Sequence, residues 1–148
     1  MTGARVIVID DEREVCELVG KVLLKAGYEV VTAQTGEQGL ELLRKGSADC
    51  LLVDKQLPGL GGLEVIVEAR RLMPLLPVVL MTAHPEPLQL GDARPTSVLT
   101  KPFSSLRSLL DAVSGAIDSA RAETGPLQQL KDRVAAVVSE IAPGLKKL

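Results

Sequence analysis

At 148 residues and a net charge of −2, the chain makes one domain with room for an appendage, and a domain of this size buries roughly two thirds of its unfolded surface. Its apolar residues are almost all aliphatic, with one Tyr and one Phe, so it has neither stacking platforms nor a basic stripe, and direct nucleic-acid binding is not expected. It opens on no signal peptide and has no apolar run long enough for a bilayer, and Cys16 and Cys50 sit in apolar patterns as reduced core thiols, so a cytoplasmic protein without membrane contact is expected.

Arg5-Val6-Ile7-Val8-Ile9 reads as a buried strand ending in Asp10-Asp11-Glu12. A helix follows with Val15, Leu18, Val19, Val22, Leu23 and Ala26 on its inner stripe, ended by Gly27 in a left-handed C-cap. Tyr28-Glu29-Val30-Val31-Thr32-Ala33 is a second strand. Thr35 and Gln38 have capping-box spacing for a short helix that buries Leu40 with Leu42 or Leu43 and stops at Gly46. Cys50-Leu51-Leu52-Val53-Asp54 is the central strand, apolar on both faces as suits a parallel sheet covered by helices on each side.

After a turn rich in glycine at Gly59, Gly61 and Gly62, a helix is predicted over residues 63–72, closed by Pro74 and Pro77. Val78-Val79-Leu80-Met81 is a fourth strand, ending in Thr82-Ala83-His84. The alternation then calls for a helix, but Pro85, Pro87, Gly91 and Pro95 leave room for no more than a turn or two. Ser97-Val98-Leu99-Thr100 is a fifth strand, and Lys101-Pro102-Phe103 follows it. Ser104 or Ser105 caps a last helix with Leu106, Leu109, Leu110, Val113 and Ile117 inside. Strand and helix alternate five times, the pattern of an α/β fold with a parallel sheet.

Beyond this, Thr124-Gly125-Pro126 reads as a break, with Pro126 suited to the first turn of a new helix. Leu127, Leu130, Val134, Val137 and Ile141 keep a 3-4 spacing until Pro143-Gly144. The predicted division is a globular domain over residues 1–122 and a helical extension over 123–148. The extension folds back over apolar surface left by the stunted fourth helix, makes a homodimer or partner contact, or is a disordered tail; two heptads are short for a coiled coil.

In parallel sheets ligands bind outside the carboxyl ends of the strands. Four strand ends here carry polar groups: Asp10 with Asp11, Asp54, Thr82, and Lys101. If the first strand lies beside the third, three carboxylates crowd together, and two unit charges about 4 Å apart repel by roughly 4 kcal/mol at an effective dielectric of about 20. Such a cluster asks for a cation, and hard oxygen ligands suit Mg²⁺, which also binds phosphate. With Lys101 as a second positive charge and Thr82 as a hydroxyl donor, the group forms a holder for a phosphoryl group on Asp54, the nucleophile.

Asp10-Asp11, Asp54, Thr82 and Lys101-Pro102-Phe103, in this order and each at a strand end, resemble the receiver domain of bacterial two-component response regulators, in a stand-alone form with an extra C-terminal helix. The resemblance covers about residues 4–121. It implies a flavodoxin-like sheet of order 2-1-3-4-5 and phosphorylation of Asp54 by a sensor histidine kinase or a phosphotransfer protein. It implies that Asp11 and Asp54 ligate Mg²⁺ with the Gln56 main-chain carbonyl, that Asp10 acts through a bound water, that Thr82 swings towards the phosphate and Lys101 pairs with it. It also implies a cis Lys101-Pro102 bond. Gln56 and His84 fall at positions where the family tunes the phosphoryl lifetime.

Each residue alone has a plainer reading: Asp10 and Asp11 as helix-cap acids, Thr82 as a β-branched strand end, Lys101 as a solvated lysine, and Glu12 as a first-turn acid rather than a ligand. Only their coincidence argues against it. Two departures from the family stand out. Val98 occupies the place, three before the lysine, where members carry a Tyr or Phe that switches with the Thr. The fourth helix, part of the usual readout face, is stunted or missing. The leading expectation is a stand-alone signalling phosphoacceptor whose output is contact with a downstream protein. The alternative is a pseudo-receiver adaptor that binds regardless of phosphate. Enzymatic activity beyond self-phosphorylation and self-dephosphorylation is not expected: aspartyl phosphohydrolases commonly place nucleophile and acid–base Asp two apart, whereas Asp10 and Asp11 are adjacent, and no specificity cap is evident.

Overall fold

The structure, a computed structural model, describes residues 3–83 and 90–141, without the side chains of 123–129 and of several later positions in the last helix. Its order is β1 (Arg5–Ile9), α1 (Arg13–Lys25), β2 (Glu29–Ala33), α2 (Gly36–Lys45), β3 (Cys50–Asp54), α3 (Gly62–Leu72), β4 (Val78–Thr82), β5 (Ser97–Thr100) and α4 (Leu106–Ile141). The five strands form one parallel sheet in the order β2-β1-β3-β4-β5, the expected flavodoxin-like arrangement. Side chains alternate across each strand, so the sheet has two apolar faces. Ile7, Ile9, Leu51, Val53, Val78 and Leu80 meet Leu40 and Leu43 of α2 and Val65, Ile66 and Ala69 of α3. Val6, Val8, Leu52, Val79, Met81 and Leu99 meet Val19 and Leu23 of α1 and Leu109, Val113 and Ile117 of α4. Every residue of β3 and β4 is buried, which explains why these strands read as unbroken apolar runs.

The helix ends follow local chemistry. Thr35 caps α2 by accepting the Gln38 N–H at 3.1 Å, while the Gln38 side chain returns a bond to the Gln34 N–H. Ser105 caps α4 by accepting the Ser108 N–H at 3.1 Å. Gly27 ends α1 with φ +97°, the left-handed position expected of it.

Three expectations are corrected. Leu18 and Leu106, assigned to inner stripes, are 47% and 49% exposed: the buried stripe of α1 is Cys16, Val19 and Leu23, and that of α4 begins at Leu109. Thr124-Gly125-Pro126 does not break the chain: α4 runs unbroken through it to Ile141, so the additional helix is a continuation of the last one and crosses the predicted division. A proline inside a helix costs one backbone bond and a clash worth about 3 kcal/mol, which a long helix bonded on both sides can carry. The extension therefore does not fold back over its own domain, and Leu130, Val134 and Val137 are at least half exposed.

Among the described residues there is no helix between β4 and β5; His84, Pro85 and Pro87 lie outside them, as does Pro143-Gly144. Instead, the Arg70 guanidinium donates to the Leu76 and Arg94 carbonyls at 2.9 and 2.6 Å, and Thr96 Oγ1 accepts the Val78 N–H at 3.0 Å. No described helix is long and apolar enough to cross a membrane.

Glycine substitutions test this packing. A Cβ at Gly62 would run into the Asp54 carbonyl oxygen and stand 2.7 Å from Lys55 Cα, whereas one at Gly115 meets nothing within 4 Å. In urea denaturation, Gly115→Ala is expected to stabilise the protein by about 0.5–1 kcal/mol and Gly62→Ala to destabilise it by about 1–3 kcal/mol.

Candidate functional site

Strand register builds the site. Ile9 pairs with Val53, so Asp10 and Asp54 come next in line on neighbouring strands. Met81 pairs with Asp54 and Thr82 with Thr100, which sets Thr82 and Lys101 along the same edge. Asp10 is fully buried, Asp54 is 6% exposed and Thr82 2%. Asp11 and Glu12 are exposed, and one carboxylate oxygen from each of Asp10, Asp11 and Glu12 lies within 4.8 Å of the others.

Lys101 is the hub. Its Nζ lies 2.8 Å from Asp10 Oδ2, 3.5 Å from Asp54 Oδ2 and 4.0 Å from Glu12 Oε1. Asp10 Oδ1 accepts the Glu12 N–H at 2.9 Å, so both Asp10 oxygens already have partners. The Lys101-Pro102 bond is cis, as expected.

Three carboxylates within 4.0 Å of one ammonium, with Asp11 beside Asp10 and Glu12, leave a surplus of negative charge. Burial raises the pKa of Asp54, and the Asp10 charge adds to this, against the opposing pull of Lys101 and the Gln56 N–H. Burial pulls the Lys101 pKa down, but its bond to Asp10 and the charges of Asp10, Asp54 and Glu12 outweigh that and leave it raised. Such a cluster of hard oxygens with net negative charge fits Mg²⁺. Asp11, Asp54 and the Gln56 carbonyl could hold it, with Asp10 engaged behind them.

The β3–α3 loop that carries Gln56 is tied at both ends. The Gly62 N–H donates to the Lys55 carbonyl at 3.0 Å, and Glu37 accepts the Leu60 N–H at 3.1 Å beside Gly59, whose φ is +71°. In front of Asp54 opens a pocket of about 760 Å³. Asp11, Asp54, Gln56 and Lys101 supply its polar side, and Val15, Leu18, Pro102, Phe103 and Leu106 an apolar wall. Ala83 lines it too, next to the buried Thr82. The sequence reading placed the polar residues but missed the wall and the approach of Glu12 to Lys101. The adjacency of three acids was the available signal for Glu12; for Leu18 and Leu106 there was none, because an inner and a flanking leucine look alike in a periodic pattern.

Residues 6–114 match the family model described as the response regulator receiver domain. The chain belongs to this family. It is 31% identical over 137 residues to the transcriptional regulatory protein GlrR of Escherichia coli, covering 90% of this chain and 30% of that protein. It is 28% identical over 116 residues to the sporulation initiation phosphotransferase F of Bacillus subtilis, covering 76% of this chain and 93% of that one. The structure of the chemotaxis response regulator CheY4 of Vibrio cholerae superposes with a TM-score of 0.73 at 29% identity, covering 78% of this chain and 99% of that one. The chain spans about a third to a half of the length of the first curated relatives, 30% for GlrR and 45% for a receiver protein of Anaeromyxobacter.

The surplus charge has a measurable consequence. A raised native pKa means the folded protein binds the Asp54 proton more tightly than the unfolded chain, so stability falls as pH rises from the ordinary carboxylate range through the raised value. Metal-free Asp54→Asn is therefore expected to melt higher than the parent at pH 7 and to lose that margin in acid. Lys101→Ala should cost about 3 kcal/mol, and less in the Asp54→Asn background, where fewer carboxylates are left uncompensated. Thermal melts of the four proteins across pH check both.

Proposed function

We infer that the chain is a phosphoacceptor of a two-component phosphorelay: Asp54 takes a phosphoryl group from a sensor histidine kinase or a phosphotransfer protein, and the adduct controls contact with a downstream protein. The observation that carries this reading is Asp54 itself, a nearly buried carboxylate 3.5 Å from a lysine ammonium at the foot of an open pocket. An Asp54 oxygen forms the new bond to phosphorus as the bond from phosphorus to the donor atom breaks, and the leaving group takes its proton from solvent. Lys101, shared between Asp10 and Asp54, pairs with the phosphoryl oxygens. Thr82, buried at the neighbouring strand end, supplies a hydroxyl donor to them. Asp11, Asp54 and the Gln56 carbonyl would hold Mg²⁺, with Asp10 in support; when bound it neutralises charge on the transferring phosphoryl group. Gln56, exposed at the pocket, stands at one of the two positions where the family tunes how water reaches the adduct; His84, the other, lies outside the described residues. The apolar wall of Val15, Leu18, Phe103 and Leu106 beside the nucleophile favours a protein donor, which has apolar surface to set against it.

A second reading, a pseudo-receiver adaptor that binds its partner regardless of phosphate, draws on Val98. It stands 40% exposed on β5 where the family carries a switching aromatic, and no described helix lies beside it between β4 and β5.

Acetyl phosphate with Mg²⁺, followed by phosphate-affinity electrophoresis, separates the two. A retarded band is expected that disappears with chelator and falls by about 100-fold or more in Asp54→Asn. No band, even with candidate kinases supplied, would turn the assignment to the adaptor.

A further inference from the structure

A metal ligand supplied by a main-chain carbonyl is aimed by the path of its loop, not by the choice of side chain. Whatever holds the β3–α3 loop therefore decides how well ordered the Gln56 carbonyl is before a metal arrives. The near side of this loop is firm. The Lys55 N–H donates to the Met81 carbonyl at 2.8 Å, the Gly62 N–H closes back on the Lys55 carbonyl at 3.0 Å, and the Leu57 side chain is buried in the core. A buried side chain fixes Leu57, but the peptide plane between Gln56 and Leu57 still turns with the chain on either side of it.

The far side has little of its own to fix it. Gly59, Gly61 and Gly62 are three of four consecutive residues, and glycine leaves the widest choice of backbone angles. Gly61 is the N-cap of α3, so no cap side chain bonds the first N–H groups of that helix. Pro58 and Gly59 are exposed.

The hold comes from α2. Glu37 Oε1 accepts the Leu60 N–H at 3.1 Å. Gly36 beside it lets Leu60 come close, since a Cβ there would stand 3.0 Å from the Leu60 carbonyl oxygen. Both residues lie in the first turn of α2, which Thr35 caps, and the half-buried Leu60 packs against the core on this face of the sheet. The grip is thus built on a rigid element. Acids in a first helical turn ordinarily serve the helix dipole, and Glu37 does that as well. A dipole needs only the charge, whereas the bond to Leu60 needs an acceptor oxygen, and this difference separates the two roles.

We propose that Glu37 is a positioning residue for the metal site: by holding Leu60 it keeps the β3–α3 loop, and with it the Gln56 carbonyl, ordered before Mg²⁺ binds. This rests on the phosphoacceptor reading and adds to it a residue of α2, a helix that lines no part of the pocket before Asp54. Without the tether, the loop has to be ordered by the metal itself. A tenfold loss of affinity is about 1.4 kcal/mol, the size of fixing one residue of backbone.

Titration of the metal-free full chain with MgCl₂, followed in backbone amide NMR spectra, gives the Mg²⁺ Kd with no phosphodonor present. Glu37→Ala is expected to bind Mg²⁺ about tenfold more weakly, and Glu37→Gln, which keeps the oxygen and loses the charge, within about twofold of the parent. The Leu60 amide should exchange faster in Glu37→Ala than in the parent or in Glu37→Gln. Mg²⁺ should slow that exchange in the parent, because coupling between two sites is reciprocal. A Glu37→Ala protein with the parent's Kd would overturn the proposal, since the loop would then be ordered without Glu37. A Glu37→Gln protein as weak as Glu37→Ala would overturn it too, since charge alone would then be at work. Either result leaves the phosphoacceptor reading standing, whereas a parent that binds no Mg²⁺ would overturn both.

Discussion

One ammonium group facing several carboxylates is the constraint on which this molecule turns. Asp10 and Asp54 are adjacent because β1 and β3 are neighbours in the sheet while β2 lies outside β1, an order that only the crossover connections of a doubly wound fold produce. Lys101 reaches both from the end of β5, 91 residues beyond Asp10 in the chain. The charge balance therefore exists only when all five strands are in place. It is also incomplete, since one ammonium faces Asp10, Asp54 and Glu12 and has no printed contact with Asp11 beside them. A site left negative in this way is stable enough to fold and still has affinity for further positive charge. Burial raises the stakes, because the low local dielectric that makes Asp54 reluctant to ionise also strengthens any partner that arrives.

The far edge of the sheet is finished differently. In place of a helix between β4 and β5, the described connection is fastened by Arg70, whose guanidinium spans the carbonyls of Leu76 and Arg94, and by Ala93, buried in the core at 2% exposure. This closes the α2–α3 face of the sheet with backbone and one arginine, and leaves Val98 at the edge with neither an aromatic ring nor, among the described residues, a covering helix. A β-branched side chain on a strand has few rotamers and little reach, so a signal that depends on a ring swinging through this edge has no carrier here. Exposed apolar surface lies instead beside the acid cluster, where Leu18 and Leu106 stand, and along the second half of α4.

Much of this was legible in the amino-acid order because the physics was local. β3 and β4 are buried on both faces and announce themselves as apolar runs, and Thr35 and Gly27 mark their helix ends by hydrogen bonding and by backbone freedom. Asp10, Asp54 and Lys101 were legible because each ends such a run. What was not legible depends on extent rather than pattern. A 3.6-residue period says which residues share a face, but not how wide the covered part of that face is, and Leu18 and Leu106 stand at its exposed margin. Gly125-Pro126 likewise reports a local cost, and a local cost of a few kcal/mol cannot say whether neighbouring turns outweigh it.

The apolar spacing of α4 shows why extent matters. A strict seven-residue repeat drifts by about 20° per heptad on a straight helix, so over the two heptads that lie on the sheet the drift is about 40°. That fits easily inside an apolar face about 100° wide, and the repeat there is indistinguishable from ordinary core packing. Only because the helix is unbroken from Leu106 to Ile141 do the two halves become one register, in which Leu109 and Val113 meet a sheet and Leu130 and Val134 meet none. The same spacing thus runs through both halves, buried where β3, β4 and β5 lie beneath it and exposed at Leu130, Val134 and Val137 beyond them.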